Sequence, residues 1–424
     1  MKTYFDQSGN LMTLSDYLTL RPLIFGIKDR LTDIDSGSVT VVPRDSALGA
    51  GGLSLIAEAA DDPAISRVYV AVRDLDTFEN VQNLLEPKFE HLEVRIIPVQ
   101  IDSHEFISGL AKSSLLFLNN QYDIPNYRAL SSRNKRDVVR IHHGILTKAY
   151  GNLTAENQAR QRRRRRKNIP YPNRQKYISN IHIDVQSVES DVEIFYRATA
   201  EGRSPTVFCK YGYPRFDRLK KLMAGTHKPL IPESSADQLS GDRNRVLYAP
   251  THKDDTYKTT LFPFSEFDLD ELREFLREMN IELYVRMHSS EDEEEFYSRI
   301  VDGETIFRAG GEFAPSPIEI LPAFDVLVTD YSSIYMDFLP TDRPIIFVQD
   351  DHEQFLSNRG LAFDYDNYFP GRKVKTFEIF LDHLSDCVEN SDDGHAEDRT
   401  FVKRTFLPER NKTFLNHVVK NHLK

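Results

Sequence analysis

Short runs of β-branched and other apolar residues recur along this chain, each followed by a stretch at helical spacing. That alternation confines the fold to the parallel α/β class. Val39-Thr-Val-Val42, Arg67-Val-Tyr-Val-Ala-Val72, Leu92-Glu-Val-Arg-Ile-Ile97, Leu115-Leu-Phe-Leu-Asn-Asn120 and Val138-Val-Arg-Ile-His-His143 read as five strands. Helices are expected from Gly51, Thr77 and Ser103. A weakly patterned basic region covers 151–175, and strand signals return over 206–214.

Residues 229–243, rich in Pro, Ser, Gly and Asp, read as an interdomain linker. A second series follows, with strands over 246–250, 281–286, 325–329 and 344–348, a helix over 270–280 and a helical tail from Thr400. The expectation is an N-terminal α/β domain over 1–235 and a C-terminal, nucleotide-binding α/β domain over 236–424, whose last helix packs back on the first. Two doubly wound parallel-sheet domains facing a cleft make a GT-B-like architecture, with ligand residues at strand C-terminal ends.

The 424 residues carry a net charge of −11, which does not favour a nucleic-acid partner. The only cysteines, Cys209 and Cys387, stand in no metal or redox spacing and fit a reducing cytoplasm. No apolar run is long enough to span a membrane, and the N-terminus lacks the pattern of a secretory signal. Residues 11–31 carry spaced apolar side chains, which suit a helix packed on the core or a membrane-touching segment.

Four loops at strand ends carry candidate chemistry. Val326-Leu-Val-Thr-Asp-Tyr-Ser-Ser-Ile-Tyr-Met-Asp-Phe338 begins as a buried strand, breaks into small polar residues and restarts at helical spacing. Such a turn offers backbone N–H groups and the hydroxyls of Ser332 and Ser333 to a phosphate. The plain alternative is a capped helix, with Asp330 or Ser332 as N-cap. His143, followed by Gly144 at the end of the fifth strand, is a candidate general base or a structural histidine. Arg286 and His288 share one face of a strand and suit a phosphate, unless His288 pairs with the acidic run 291–295. Thr251, His252 and Lys253 end another strand in a polar loop, which reaches a phosphate or is merely solvated.

Tyr211-Gly-Tyr-Pro-Arg-Phe-Asp217 has helix-start chemistry, with Pro214 at the first position and Asp217 in the first turn. Arg160, Arg162 to Arg166 and Lys167 form a cationic run suited to anionic lipid or a polyanionic acceptor, or to nonspecific polyanion binding. No zinc, EF-hand, Walker A, Gly-x-Gly-x-x-Gly or Gly-x-Ser-x-Gly motif is present, and Gly49-Ala-Gly-Gly52 is a weak match to a glycine-rich βα turn. No metal or cofactor is expected.

In their order and spacing these segments resemble the CDP-glycerol glycerophosphotransferases, the teichoic-acid primase and polymerase type. The matching segments are His143-Gly144, Gly212 to Asp217, Tyr248 to Thr251, His288, Thr329 to Phe338, Pro344 to Asp351 and Arg359-Gly-Leu-Ala-Phe-Asp-Tyr365 with Pro370-Gly371. The chain departs from the family pattern after Gly144, where Ile-Leu-Thr-Lys148 replaces Thr-Pro-Leu-Lys, and at His142, Phe216 and Ser289. These departures bear on the acceptor more than on the reaction class.

The resemblance implies transfer of glycerol phosphate from CDP-glycerol to an acceptor hydroxyl, releasing CMP. It makes His143 the base and assigns His288, Arg286, Ser332, Ser333 and a helix start to the departing phosphate. Thr251, Thr329 and Asp337 fall on the donor side, and Gly144, Lys148, Arg215 and Asp217 on the acceptor side. Asp330 is expected to cap backbone rather than touch phosphate. The acceptor is a lipid-linked or polymeric glycan, and the implied location is peripheral, at the inner face of the cell membrane. Competing readings are a GT-B glycosyltransferase using a sugar nucleotide, a CDP-ribitol-dependent ribitolphosphotransferase, and a non-enzymatic nucleotide- or polyanion-binding protein.

Overall fold

The computed structural model describes residues 4–5, 11–12, 21–42, 49–72, 79, 83, 85, 95–100, 104–119, 136–142, 144–154, 157–159, 183–251, 261–287, 294–349, 352–358, 360–391 and 393–423. By its contacts the chain divides into two units. The first comprises Met1–His143, Pro172–Ser187 and Leu415–Lys424, and the second Gly144–Tyr171 and Val188–Phe414.

The first unit is built on parallel strands β1 (Asp35–Val42), β2 (Arg67–Val72), β3 (Arg95–Gln100), β4 (Ser113–Leu118), β5 (Asp137–Ile141) and β6 (Val185–Ser187). They pair in the order β3-β2-β1-β4-β5-β6, the arrangement of a doubly wound sheet. Every residue of β4 is buried, as a strand covered on both faces requires. Helices α1 (Arg21–Leu31), α2 (Gly49–Ala60) and α3 (His104–Lys112) accompany the sheet. Gly109 lets α3 lie close to β2, because a Cβ there would sit 2.9 Å from the Tyr69 ring.

Two expectations change in this unit. Among the described residues of 11–31, Arg21–Leu31 is helical, while Leu11–Met12 pairs antiparallel with Tyr4–Phe5. From α1, Phe25 is fully buried in a cluster with Phe106 and Leu110, whereas Ile27 and Leu31 are exposed. Gly49 to Gly52 lie inside α2, so this glycine-rich stretch is helix and not an open turn.

The second unit carries β7 (Asn244–Tyr248), β8 (Ile281–Val285), β9 (Ile306–Arg308), β10 (Val326–Thr329), β11 (Ile345–Val348) and β12 (Arg372–Val374). All pair parallel, in the order β9-β8-β7-β10-β11-β12, which repeats the topology of the first unit. Its main helices are α4 (Asp191–Glu201), α5 (Pro214–Met223), α6 (Leu269–Glu278), α7 (Ile334–Phe338), α8 (Phe377–Asn390) and α9 (Ala396–Phe406). Asp268 caps α6 by accepting from the N–H groups of Asp270 and Glu271, and Leu272 and Leu276 turn inward to join Phe262, Phe264 and Phe380 over the sheet.

The strand expected over 206–214 shrinks to Phe208–Cys209, preceded by a 3-10 turn and followed by α5, which Pro214 opens. Residues 188–235 fall in the second unit. Residues 229–243, read as a linker, include the short helix Glu233–Gln238, and Leu230 and Ile231 are buried. The chain end, Leu415–Lys424, falls in the first unit, where His422 Nδ1 lies 2.8 Å from Asp137. Among the described residues no helix is long and apolar enough to cross a membrane.

A buried ion pair fastens α1 to the first sheet. Arg136 pairs with Asp29, each nearly inaccessible, and its guanidinium also donates to the carbonyls of Ser113 (3.1 Å) and Ala111 (3.2 Å). Replacing one partner strands the other as a buried charge. Arg136→Met is therefore expected to lower unfolding free energy by about 3–5 kcal/mol. Adding Asp29→Leu should recover most of that loss. Urea denaturation of both variants checks it, and equal losses would count against the pair.

Candidate active site

The second sheet reverses its order between β7 and β10, and open α/β sheets bind ligands beyond the strand ends at such a point. The chain beyond β7, β8 and β10 is fixed by backbone bonds: Ala249 N–H donates to Val328 O and Arg286 N–H to Tyr248 O, both at 2.9 Å. Asp330, 5% exposed, accepts from the N–H groups of Thr251 at 2.7 Å and Ser332 at 3.2 Å. Its carboxylate thus joins the exits of β7 and β10. Thr329 is fully buried and donates its hydroxyl to Ala249 O at 2.7 Å, so it ties strand ends rather than facing a ligand. Arg286 Nη1 donates to the carbonyls of Ala309 (2.7 Å), Gly310 (3.1 Å) and Ala314 (3.0 Å), shaping the loop after β9.

Three hydroxyls remain open there. Ser333 is the N-cap of α7 but makes no side-chain capping bond, so neither Asp330 nor Ser332 fills that role. The hydroxyls of Ser332 and Ser333 make no hydrogen bond among the described residues. Neither does the Thr251 hydroxyl, although that residue is only 4% exposed. A buried hydroxyl without a partner costs roughly 1–3 kcal/mol. A phosphate oxygen at this point would satisfy it. His143, His288, His252, Lys253 and the cationic run 160–167 lie outside the described residues.

A second group gathers on α5. Arg215 Nη1 meets Asp337 Oδ2 at 3.2 Å, both residues buried. Burial pushes the Asp337 carboxyl above its usual range, and the Arg215 charge opposes that. Gly144 lies against the same guanidinium. Its φ is +154°, which favours glycine, and a Cβ there would sit a tight 3.0 Å from Arg215 Nη1.

Lys148 forms an antiparallel bridge with Leu361, flanked by Ala149 N–H to Gly360 O (3.1 Å) and Ala362 N–H to Thr147 O (2.8 Å). Thr147 donates its hydroxyl to Tyr331 O at 3.4 Å, beside the paired serines. The Lys148 ammonium lies 6.0 Å from the Phe355 ring centre, and Phe355 stacks on Tyr331 at 4.0 Å. The structure therefore brings Gly144 to Arg215 and Asp337, and Thr251, Thr329 and Ser332 to Asp330.

Asp217 stands apart from both groups. Its two oxygens accept from Arg410 Nη2 (3.0 Å) and Phe414 N–H (2.6 Å), so it anchors the end of the unit. Glu189 shares that anchorage, with Oε2 3.1 Å from Arg410 Nε and Oε1 accepting from Tyr213 N–H. Burial pushes the Glu189 carboxyl up to about 7. A cavity of about 770 Å³ lies by α5 and α9, lined by Glu189, Phe216, Lys220, Met223, Leu407 and Arg410 among others. None of the residues expected at the site lines it.

The sequence reading missed the buried set Glu193, Arg197 and Tyr213, which holds the Gly144 carbonyl. Its one local signal is a Glu-x-x-x-Arg spacing on α4.

The chain matches the family model for CDP-Glycerol:Poly(glycerophosphate) glycerophosphotransferase over residues 57–421. It is 26% identical over 309 residues to the teichoic acid glycerol-phosphate primase of Bacillus spizizenii, covering 71% of this chain and 74% of that protein. To the teichoic acid ribitol-phosphate polymerase TarK of Staphylococcus aureus it is 24% identical over 207 residues, 46% of this chain and 38% of that one. The solved structure of the wall teichoic acid polymerase TagF superposes with a TM-score of 0.67 at 16% identity, covering 94% of this chain and 92% of that one. The two parallel-sheet α/β units are GT-B-like in fold.

The Glu189 carboxyl yields a pH signature. Its folded pKa of about 7 stands above the ordinary 4.5, so the fold favours the protonated acid. Stability from this group is complete below pH 4.5 and is lost as pH rises through about 7, an effect of roughly 3 kcal/mol. Glu189→Gln removes the titration. Urea unfolding at pH 4.5 and pH 8 should show the wild type losing roughly 3 kcal/mol more than the variant on going to the higher pH. Identical pH dependence in the two proteins would refute it.

Proposed function

The chain belongs to the CDP-glycerol:poly(glycerophosphate) glycerophosphotransferase family, and from that premise we propose how its residues perform the reaction. The enzyme transfers glycerol phosphate from CDP-glycerol to an acceptor hydroxyl and releases CMP. The acceptor oxygen attacks the glycerol-bearing phosphorus, the bond from that phosphorus to the bridging oxygen breaks, and CMP leaves with the electron pair. His143 takes the proton of the attacking hydroxyl. His288 and Arg286 face the negative charge growing on CMP, with the hydroxyls of Ser332, Ser333 and Thr251 as donors to the pyrophosphate.

One observation carries the donor reading: three hydroxyls without a partner among the described residues, at the point where the second sheet reverses its order. Asp337 and Arg215 set the position of Gly144, and Lys148 lies on the acceptor side. The acceptor is a lipid-linked or polymeric glycan. The cationic run 160–167 suits an anionic membrane surface, and with it a peripheral location at the inner face of the cell membrane. A ribitol donor is the second reading, favoured by the similarity to a ribitol-phosphate polymerase.

The donor screen uses CDP-glycerol, CDP-ribitol and UDP-sugars with a synthetic lipid-linked disaccharide, reading nucleotide release and product size. CMP released from CDP-glycerol is expected. UDP release would overturn the donor, and CDP-ribitol alone supporting turnover would establish the second reading. A general base contributes about 10²–10⁴-fold in rate, so His143→Ala should lower kcat by that order while CDP-glycerol binding stays near normal. Near-normal turnover in that variant would refute the base assignment.

A further inference from the structure

The carbonyl oxygen of Gly144, one residue beyond His143, accepts from Arg197 Nη2 at 2.6 Å. Arg197 lies on α4 and is 1% exposed. Its Nε donates to Glu193 Oε1 at 2.6 Å, and its Nη2 also donates to the Tyr213 hydroxyl at 3.3 Å. The Tyr213 hydroxyl in turn donates to Glu193 Oε1, while Glu193 Oε2 accepts from Glu189 N–H at 3.0 Å. Glu193 is thus fixed by three donors, and the guanidinium is held at both ends.

This set is not the sole anchor of α4. Val188, Ala198 and Phe208 form a buried cluster with Ile194 packed against it, and Ser190 and Gly202 cap the helix. A buried arginine carries a desolvation penalty of several kcal/mol, which only good geometry and further hydrogen bonds offset. What this set adds is the direction of one carbonyl. The α-carbon of the same glycine lies against Arg215, whose guanidinium pairs with Asp337. Gly144 is therefore gripped by α4 on its carbonyl and by α5 on its α-carbon.

We propose that Arg197, oriented by Glu193 and Tyr213, is a positioning residue for glycerophosphoryl transfer, fixing the Gly144–Ile145 peptide, which follows His143 by one residue in the chain. This rests on the reading of His143 as the base. Misplacement of a reacting group by about 1 Å costs on the order of 10²-fold, so a lost grip on this peptide should appear in kcat and not in donor affinity.

The experiment compares Arg197→Lys, the milder Tyr213→Phe, His143→Ala and the double variant His143→Ala/Arg197→Lys. Each is the full chain, assayed for CMP release from CDP-glycerol with the synthetic lipid-linked disaccharide, and each has its thermal midpoint measured. Arg197→Lys should lower kcat about 10- to 100-fold, and Tyr213→Phe less, with the KM for CDP-glycerol within about twofold and the midpoint near wild type. The double variant should be no slower than His143→Ala alone, because the arginine acts through the histidine.

Wild-type kcat in both Arg197→Lys and Tyr213→Phe overturns the proposal. So does a loss in the double variant that multiplies those of the two single variants, or a kcat loss that travels with KM and the thermal midpoint. Retained turnover in His143→Ala overturns the base reading itself, and the positioning role with it. Loss in His143→Ala beside normal Arg197→Lys overturns the positioning role alone.

Discussion

The second unit depends on α5 carrying buried charges at 215, 217 and 218, each with a partner far away in sequence. Arg215 meets Asp337, Asp217 takes Arg410 and the Phe414 N–H, and Arg218 meets Glu319 with a bond at 2.8 Å. None of the three is more than 6% exposed. A buried charge without a partner costs several kcal/mol, so a rotation of α5 that broke one of these pairs would be strongly opposed. The helix is therefore locked in both rotation and register. Because Gly144 rests on Arg215, the lock reaches the segment that follows His143.

A different device works at the sheet edge. Parallel strands end together, and the chain leaving each one carries N–H and C=O groups that no neighbouring strand satisfies. Asp330 answers two of those N–H groups at once, and the Thr329 hydroxyl answers the Ala249 carbonyl. With the backbone satisfied from within, the neighbouring hydroxyls of Thr251, Ser332 and Ser333 are left without a partner among the described residues. The same division explains Arg286, whose Nη1 rigidifies the loop after β9.

Most of the sheet was legible from sequence because buried parallel strands are continuous β-branched runs. The strands at 39–42, 67–72, 246–248, 281–285, 326–329 and 345–348 all declared themselves that way. The edge strands β9 and β12 did not. Each is three residues long, and Arg308, Arg372 and Lys373 break any apolar run. The 229–243 segment has the composition of a linker, yet Leu230 N–H donates to Glu319 Oε2 at 2.7 Å, the carboxylate that also holds Arg218. No local pattern announces that link, since its partners lie 89 and 101 residues away. The strand–turn–helix at 326–338 was readable because its pattern is local, whereas the bond from Thr251 N–H to Asp330 joins residues 79 apart and the N-cap is Ser333. Arg197 was not, because only the folded chain brings it to Gly144.

The motif residues therefore fall into two physical classes that sequence alone does not separate. Thr329 and Asp330 satisfy backbone, Asp217 and Asp337 pair with arginines, and Gly144 lies against a guanidinium where a methyl group would be a tight fit. Thr251, Ser332 and Ser333 instead have hydroxyls without a hydrogen-bond partner among the described residues, at the sheet's reversal point. Substitution in the first class disturbs the frame, so its effect on turnover should travel with stability. Under the proposed mechanism, substitution in the second should weaken donor affinity in a chain that unfolds normally. Arg197 crosses that division. It is buried like a frame residue, yet the group it holds follows His143 in the chain, so under the proposed mechanism its loss belongs in kcat. What decides the class of a polar residue in this fold is where its hydrogen bonds end, since a buried polar group left unpaired carries a cost that a paired one does not.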